Sequence, residues 1–405
     1  MSKLPVALEF IQGACDLLPD HPFAVRLWDG RVFTPSAGEP KFTLVLRRAD
    51  LLERLLADAG WRTMGEAYLR DELDIEGDME QVYPLAELLQ TMAASRDDAA
   101  DGDGLERFAQ DGVEAHTRER DAAAIEYHYD QSNEVFHRVT DPTFNYSCAY
   151  YHERTDTLEQ AQRQKMDRVC KKIGVADGDR VLDIGCGWAP ILSWVAGHYD
   201  VEITGVTISQ AQAEFARARL EREGVASRAR VALCDYRDID ESRPFDKIIS
   251  LGMVEHVGVK NLPVYFAKAY RLLRPGGLFA LQGVSSSVSE ASTTGIDFTH
   301  SYLFPDADMP YLAQYLEAAQ AAGFEVRDVE NMREHYAWTH RAWRRALEDQ
   351  RATIVAEVGE ARYRALRVLF SYSTHYFLRG KCSVYQFVLW RPHGDRPALP
   401  LRRPV

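Results

Sequence analysis

Arg180-Val181-Leu182-Asp183-Ile184-Gly185-Cys186-Gly187-Trp188 is the stretch whose reading decides the fold. Val181 to Ile184 is an apolar run that suits a buried strand. It breaks into a two-glycine turn before a helical segment, Ile191-Leu192-Ser193-Trp194-Val195-Ala196. Glycine lets backbone approach a ligand without a Cβ in the way, and Asp183 sets a carboxylate beside that approach. A dinucleotide site asks for a third glycine, and for an acid at the tip of the next strand to hold a ribose. Here Gly187 is followed by Trp188-Ala189-Pro190, and the next strand, Val201 to Ile208, runs into Ser209-Gln210. The pattern disfavours NAD and favours a cofactor that has a ribose and no pyrophosphate.

Outward from the turn, strands and helices alternate from Arg180 to about Val284, the sign of a parallel sheet covered on both faces. The strands expected are Val181–Ile184, Val201–Ile208, Arg230–Leu233, Lys247–Leu251 and Leu278–Val284. Gln210–Glu223 and Leu262–Leu273 read as helices, the second stopped by Arg274-Pro275-Gly276-Gly277. A long insertion (285–322) precedes two further strands, Glu325–Val329 and Ser383–Trp390, with a helical stretch from Ala337 to about Phe377 between them. Upstream, Val25–Trp28 and Phe42–Leu46 alternate as strands do. Ala49 to Ala59, with Leu51, Leu52, Leu55 and Leu56 on one face, reads as an amphipathic helix, and a second helix is expected near Tyr83 to Met92. The chain divides on this reading into a small α+β domain (1–95), an acidic linker (96–118) and an α/β domain (119–395).

Composition narrows the function. The 405 residues carry a formal charge of −13, which argues against a nucleic-acid partner and against a strongly basic membrane-adhering surface. Arg341, Arg344 and Arg345, and the closing Arg391, Arg396, Arg402 and Arg403, read as solvated faces. No apolar run approaches the roughly 20 residues of a membrane span, and Met1-Ser2-Lys3-Leu4-Pro5 lacks a signal-peptide core. Six scattered cysteines without CxxC or HExxH spacing favour free thiols in a reducing cytoplasm and no metal site.

An ordered set of motifs then becomes specific. Tyr127-His128-Tyr129-Asp130 with Asn133, Tyr146-Ser147-Cys148-Ala149-Tyr150-Tyr151, and Thr157-Leu158-Glu159-Gln160-Ala161-Gln162 with Lys165 precede the glycine turn. Gly205-Val206-Thr207-Ile208-Ser209-Gln210, Cys234-Asp235-Tyr236-Arg237-Asp238 and Met253-Val254-Glu255-His256-Val257-Gly258 follow it. From about residue 120 to 392 this order resembles the cyclopropane-fatty-acyl-phospholipid synthase family of S-adenosylmethionine-dependent methyltransferases. Asp74-Ile75-Glu76-Gly77-Asp78 is similar to part of that family's small N-terminal domain.

The resemblance implies a Rossmann-like class I methyltransferase with a mostly parallel seven-stranded sheet and a lipid-binding-like N-terminal domain. It implies that Tyr146, Ser147, Asp183, Gly185 and Gly187 line the cofactor. Thr207, Ser209 and Gln210 would reach its ribose and amino-acid end, and Asp235 and Tyr236 would meet its adenine. From the residues alone, Asp235 reads equally as a strand-end cap. The family's base is a bound bicarbonate, and its ligands correspond to Cys148, Glu255, Gln282 with Val284, and Tyr336. Two positions depart from the family. Gln282 replaces a histidine, so it can donate to an anion and cannot share a proton with it, which sets bicarbonate use and ring closure in question. Ala189 replaces a glycine and adds one methyl at the helix entry. The expected partner is a phospholipid with an unsaturated acyl chain, met by a cytoplasmic homodimer at the inner membrane face. Rivals are a synthase of methylene- or methyl-branched chains and a small-molecule methyltransferase. Tyr302, Phe304, Tyr336 and Trp338 read either as core packing or as an aromatic pocket facing a carbocation.

Overall fold

The computed structural model describes residues 12–13, 16–34, 38–57, 61–93, 117–118, 120, 133–287, 309–394 and 399. Tyr127 to Asp130, Tyr302 to Pro305 and nearly all of the expected linker lie outside them. The described residues fall into two compact units. One draws on the described residues within 12–93 and 347–375, the other on those within 117–287, 309–346 and 376–399.

The first unit is built on a four-stranded sheet of β1 (Phe23–Arg26), β2 (Val32–Phe33), β3 (Phe42–Leu46) and β4 (Leu73–Gly77), in the order β2-β1-β3-β4. β1 and β3 run parallel and stack Phe23 on Phe42, with centroids 5.3 Å apart. The contiguous boundary read at residue 95 misses part of this unit. The helix Glu360–Arg379 sends Arg364 into it, donating to Tyr68 O (3.1 Å) and Leu73 O (3.2 Å) and pairing with Asp71 (2.6 Å). One turn on, Arg367 donates to Tyr68 Oη (2.9 Å) and Ile75 O (3.2 Å). Bonds of this kind between distant stretches leave no periodic trace in sequence.

The second unit holds a seven-stranded sheet. Its strands are β5 (Arg180–Ile184), β6 (Glu202–Thr207), β7 (Ala229–Leu233), β8 (Phe245–Leu251), β9 (Leu273–Ser286), β10 (Glu325–Asn331) and β11 (Cys382–Trp390), in the order β10-β11-β9-β8-β5-β6-β7. β5 to β9 pair in parallel, while β11 is antiparallel to both β9 and β10. The expected α/β, mostly parallel architecture is the one observed. β9 begins at Leu273, earlier than expected, because Leu273 pairs with Phe245 ahead of the Pro275-Gly276 turn. Both faces are covered. Val181, Ile203, Ile249 and Ala280 pack with Val169 and Ile173 of the helix Leu158–Ile173 and Leu192 and Val195 of the helix Pro190–His198. On the other face Leu182, Ile248, Phe279 and Leu281 meet Tyr265, Phe266 and Ala269 of the helix Leu262–Leu272. Strands buried on both sides need near-continuous apolar runs, which is why they were readable. The sheet order reverses at β5, whose neighbours are β6 and β8, so a crevice opens beyond the carboxyl ends of those strands.

Ala189 enters the helix Pro190–His198 with φ +64°, in the left-handed region, and is fully buried. Left-handed strain in an alanine costs about 1 kcal/mol. Its buried methyl contributes about 0.8 kcal/mol, and its stiffer unfolded chain about 0.7 kcal/mol more. The terms nearly cancel, so the family's glycine is replaceable here. Ala189→Gly is expected to shift the unfolding free energy by less than about 1 kcal/mol in urea titrations; a much larger stabilisation would reveal strain at Ala189 beyond that of an ordinary left-handed alanine.

Candidate active site

One cavity in the second unit lies at the carboxyl ends of β5, β6 and β8, where the order reverses. Its floor is the turn after β5. Gly185 (φ +82°) and Gly187 (φ +51°) adopt conformations that side chains avoid, and a Cβ on Gly185 would stand 2.5 Å from the Met253 side chain. Gly185 N and Cys186 N both donate to Val206 O at 3.0 Å, tying the turn to β6. Trp188 Nε1 donates to Asn133 Oδ1 at 2.7 Å, and its ring packs on Phe136 and Phe144.

Asp183, Gly185, Gly187, Tyr146, Ser147, Thr207, Asp235 and Tyr236 all line this cavity. Burial raises the Asp183 carboxyl to about 7, although Lys165 nearby opposes the shift. Asp235 is a cap as well as a lining residue. Its Oδ1 accepts the Arg237 N–H at 2.8 Å, and its carboxylate pairs with the Arg237 guanidinium at 2.5 Å. Burial pushes Asp235 up, and these Arg237 bonds outweigh it, so the carboxyl lies below its usual range.

Ser209 and Gln210 do not line the cavity. Ser209 Oγ caps the helix Gln210–Arg222 by accepting the Gln212 N–H at 3.1 Å, and the exposed Gln210 bonds Glu214. Gln212 lines the cavity instead, its Oε1 accepting from Thr207 Oγ1 at 2.9 Å. Ser209-Gln210-Ala211-Gln212 is the S-x-x-Q signature of a helix start, so the signal was present in the sequence. Ile208, Met253 and His256 also line the cavity.

The residues assigned to the base gather beside the end of β9. Glu255 sits on the short turn Val254–His256, buried, with Oε1 accepting the Val284 N–H at 2.6 Å. Its Oε2 is buried with no hydrogen-bond partner among the described residues, and burial raises the carboxyl to about 7. Cys148, fully buried, packs in one apolar cluster with Val284, Tyr336 and Phe377. Its thiol bonds Ala149 O (3.2 Å), and burial pushes its pKa up. Gln282, two residues before Val284 on the same face of β9, pairs with Gln386 across the strands, Nε2 of Gln386 to Oε1 of Gln282 at 3.5 Å. Tyr336 adds ring contacts to His340 (4.4 Å) and Phe377 (4.8 Å). Trp338 turns away from it and packs on Tyr151.

The cavity fits S-adenosylmethionine. It offers a glycine floor for close approach, the Asp183 carboxyl for hydroxyl or ammonium groups, and apolar lining from Ile208, Met253 and Val257. Bicarbonate fits less well. The Val284 N–H implied for it is already taken by Glu255, Gln282 brings no shareable proton, and Glu255 repels an anion unless it is itself protonated.

Residues 116–387 match the family model for mycolic acid cyclopropane synthetase, and residues 12–96 match a domain of unknown function. A probable fatty acid methyltransferase of Pseudomonas putida is 32% identical over 399 residues, spanning 98% of this chain and 96% of that protein. The cyclopropane-fatty-acyl-phospholipid synthase of Escherichia coli K12 is 39% identical over 216 residues, 53% of this chain and 54% of its own. Among solved structures, the mycolic acid cyclopropane synthase CmaA1 complexed with SAH and CTAB superposes with a TM-score of 0.63 at 30% identity. That match covers 66% of this chain and 98% of the other.

Glu255 ties stability to pH. Its proton is held more tightly in the folded protein, at about 7, than at the ordinary 4.5, so its contribution is complete at low pH and is lost as pH rises through 7. The stability of Glu255→Gln relative to the parent should therefore climb by about 3 kcal/mol between pH 4.5 and 8, read from urea midpoints. A difference that does not vary with pH would count against a buried, proton-holding carboxyl.

Proposed function

The chain belongs to the mycolic acid cyclopropane synthetase family, and from that premise we propose that it methylates the cis double bond of an unsaturated phospholipid acyl chain and closes a cyclopropane ring. S-adenosylmethionine is its cofactor and supplies an electrophilic methyl group. An alkene is a weak nucleophile, so the chain's own residues must align it, keep water out, face a cation and accept a proton. The π electrons form the first carbon–carbon bond as the carbon–sulfur bond breaks, leaving a carbocation on the acyl chain. Loss of a proton from the transferred methyl then lets its C–H electron pair close the ring.

The observation that carries this reading is Glu255. One oxygen is fixed by the Val284 N–H and the other is buried and unpartnered among the described residues, next to the apolar Cys148–Tyr336 cluster. Met253 and His256, on either side of it in sequence, line the cavity. A carboxyl near 7 is matched to accepting a proton at neutral pH. Glu255 Oε2 is accordingly the proton acceptor, and the ring faces of Tyr336 and Phe377 offset the charge of the cation. The small N-terminal unit gathers the lipid in this reading. Among the described residues no helix is long and apolar enough to cross a membrane, which is compatible with docking at a lipid surface.

A methylene- or methyl-branched product is the second reading. It is favoured by Gln282 in the place of an imidazole and by the near full-length likeness to a probable fatty acid methyltransferase. Incubation with 13C-methyl-labelled S-adenosylmethionine and vesicles of cis-unsaturated phospholipid tests both. NMR of the extracted lipid should show labelled cyclopropane protons; vinyl protons would select the branched product, and no label in any unsaturated lipid would sink the proposal. Glu255→Gln is expected to lower kcat at least ~100-fold while leaving affinity for S-adenosylhomocysteine within a few-fold. Removing dissolved bicarbonate should not slow the parent enzyme. Rescue by added bicarbonate would move the base away from Glu255.

A further inference from the structure

Lys165 lies within the helix Leu158–Ile173 and is fully buried. Its ammonium donates to two neutral oxygens, Asn145 Oδ1 at 2.7 Å and Ser147 Oγ at 2.9 Å. Holding a cation in the interior on neutral acceptors is expensive, and an apolar side chain of similar length would fill the space without that penalty. Three titratable groups face it, the thiol of Cys148 and the carboxyls of Asp141 and Asp183.

The chemistry of the donor gives the charge a use. An ammonium has three N–H donors and no lone pair, so every group it bonds must accept. Ser147 Oγ is thereby an acceptor on its Lys165 side, and its own hydrogen is directed elsewhere. Ser147 lines the cofactor cavity. The same constraint orients Asn145. Its Oδ1 faces Lys165, which turns its Nδ2 to Thr143 Oγ1 (3.0 Å) and Met166 Sδ (3.4 Å). Less than one turn earlier on the helix, Gln162 Nε2 holds the backbone of the same strap, bonding Asn145 O (3.3 Å) and Ser147 O (2.9 Å). The helix thus fixes both the path of residues 145–147 and the direction in which the Ser147 hydroxyl donates.

We propose that Lys165 is a positioning residue that makes Ser147 a hydrogen-bond donor into the cavity, so that its hydroxyl selects an acceptor oxygen of S-adenosylmethionine. The inference rests on the assignment of this cavity to the cofactor and is independent of the acyl product. It also predicts a pH response. Burial lowers the Lys165 ammonium to about 8, against the opposing pull of Cys148, Asp141 and Asp183. Above that pH the neutral amine gains a lone pair, the Ser147 hydroxyl turns to donate to it, and the cavity loses its donor.

Calorimetric titration of S-adenosylhomocysteine between pH 6.5 and 9.5 tests this, using the full chain, Lys165→Met, Lys165→Gln, Ser147→Ala and the Met/Ala double variant. Ser147→Ala keeps the titrations of the ligand amine and of Asp183, so it is the reference. The parent should lose about tenfold more affinity across pH 8 than Ser147→Ala does. Lys165→Met should be about tenfold weaker at pH 7 with no extra step near pH 8, and should cost less than about twofold when Ser147 is already alanine. Lys165→Gln, which keeps an N–H donor without the charge, guards against a variant that does not fold. It should bind better than Lys165→Met and likewise show no step. Fully additive losses in the double variant, or an unchanged step in Lys165→Met, would overturn the proposal. So would a fall in thermal midpoint with affinity intact, which would make Lys165 structural only. Failure of the parent itself to bind S-adenosylhomocysteine would strike the cofactor assignment instead.

Discussion

Two N–H groups share one carbonyl, and the site depends on it. Gly185 N and Cys186 N both donate to Val206 O, which draws the turn after β5 across the end of β6. The approach is close because β6 carries Gly205, where a Cβ would lie 2.7 Å from Cys186 Cβ. With the turn pinned there, Asp183 at the end of β5 and Thr207 at the end of β6 face one space, and the helix Pro190–His198 starts at its edge. The wide apolar sheet underneath makes this arrangement rigid. Every strand that feeds the cavity is packed on both faces, so the turn cannot relax without disturbing the core.

In the proposed reaction, the cavity and the buried cluster at the end of β9 divide the labour of an alkylation. The cavity is polar on its strand-end side and offers Asp183, Thr207 and Gln212 to a soluble, hydroxyl-rich molecule. The cluster around Cys148 and Tyr336 is apolar, and beside it at Val284 lies a Glu255 carboxyl oxygen that is unpartnered among the described residues. Asp183 and Glu255 are both raised to about 7 by burial, but for different ends. Asp183 lines the cavity directly, whereas Glu255 sits between the lining residues Met253 and His256 with one oxygen held by the Val284 N–H.

Much of this was legible in the sequence. The central strands, such as Val181–Ile184 and Leu278–Val284, announced themselves because strands covered on both faces are near-continuously apolar, and the glycine turn marked the crevice. What stayed hidden depended on hydrogen-bond direction and on distant pairing. Ser209 and Gln210 looked like ligand contacts at a strand tip, yet the S-x-x-Q spacing commits Ser209 to a helix cap and brings Gln212 to the cavity. The Val284 N–H reads as a free donor until Glu255 is seen to occupy it. Lys165 resembles any solvated lysine on a polar helix, because nothing in its neighbourhood marks it as fully buried.

The anchoring of residues 347–375 against the first four strands has a consequence for how the chain is made. Arg364 and Arg367 satisfy the carbonyls of Tyr68, Leu73 and Ile75, residues translated 291 to 296 positions earlier. Until those arginines are made, the carbonyls have no guanidinium to meet. The four-stranded sheet therefore waits, incompletely closed, while β5 to β10 of the methyltransferase sheet are laid down between the two parts of its unit. Its closure comes after theirs in the order of synthesis.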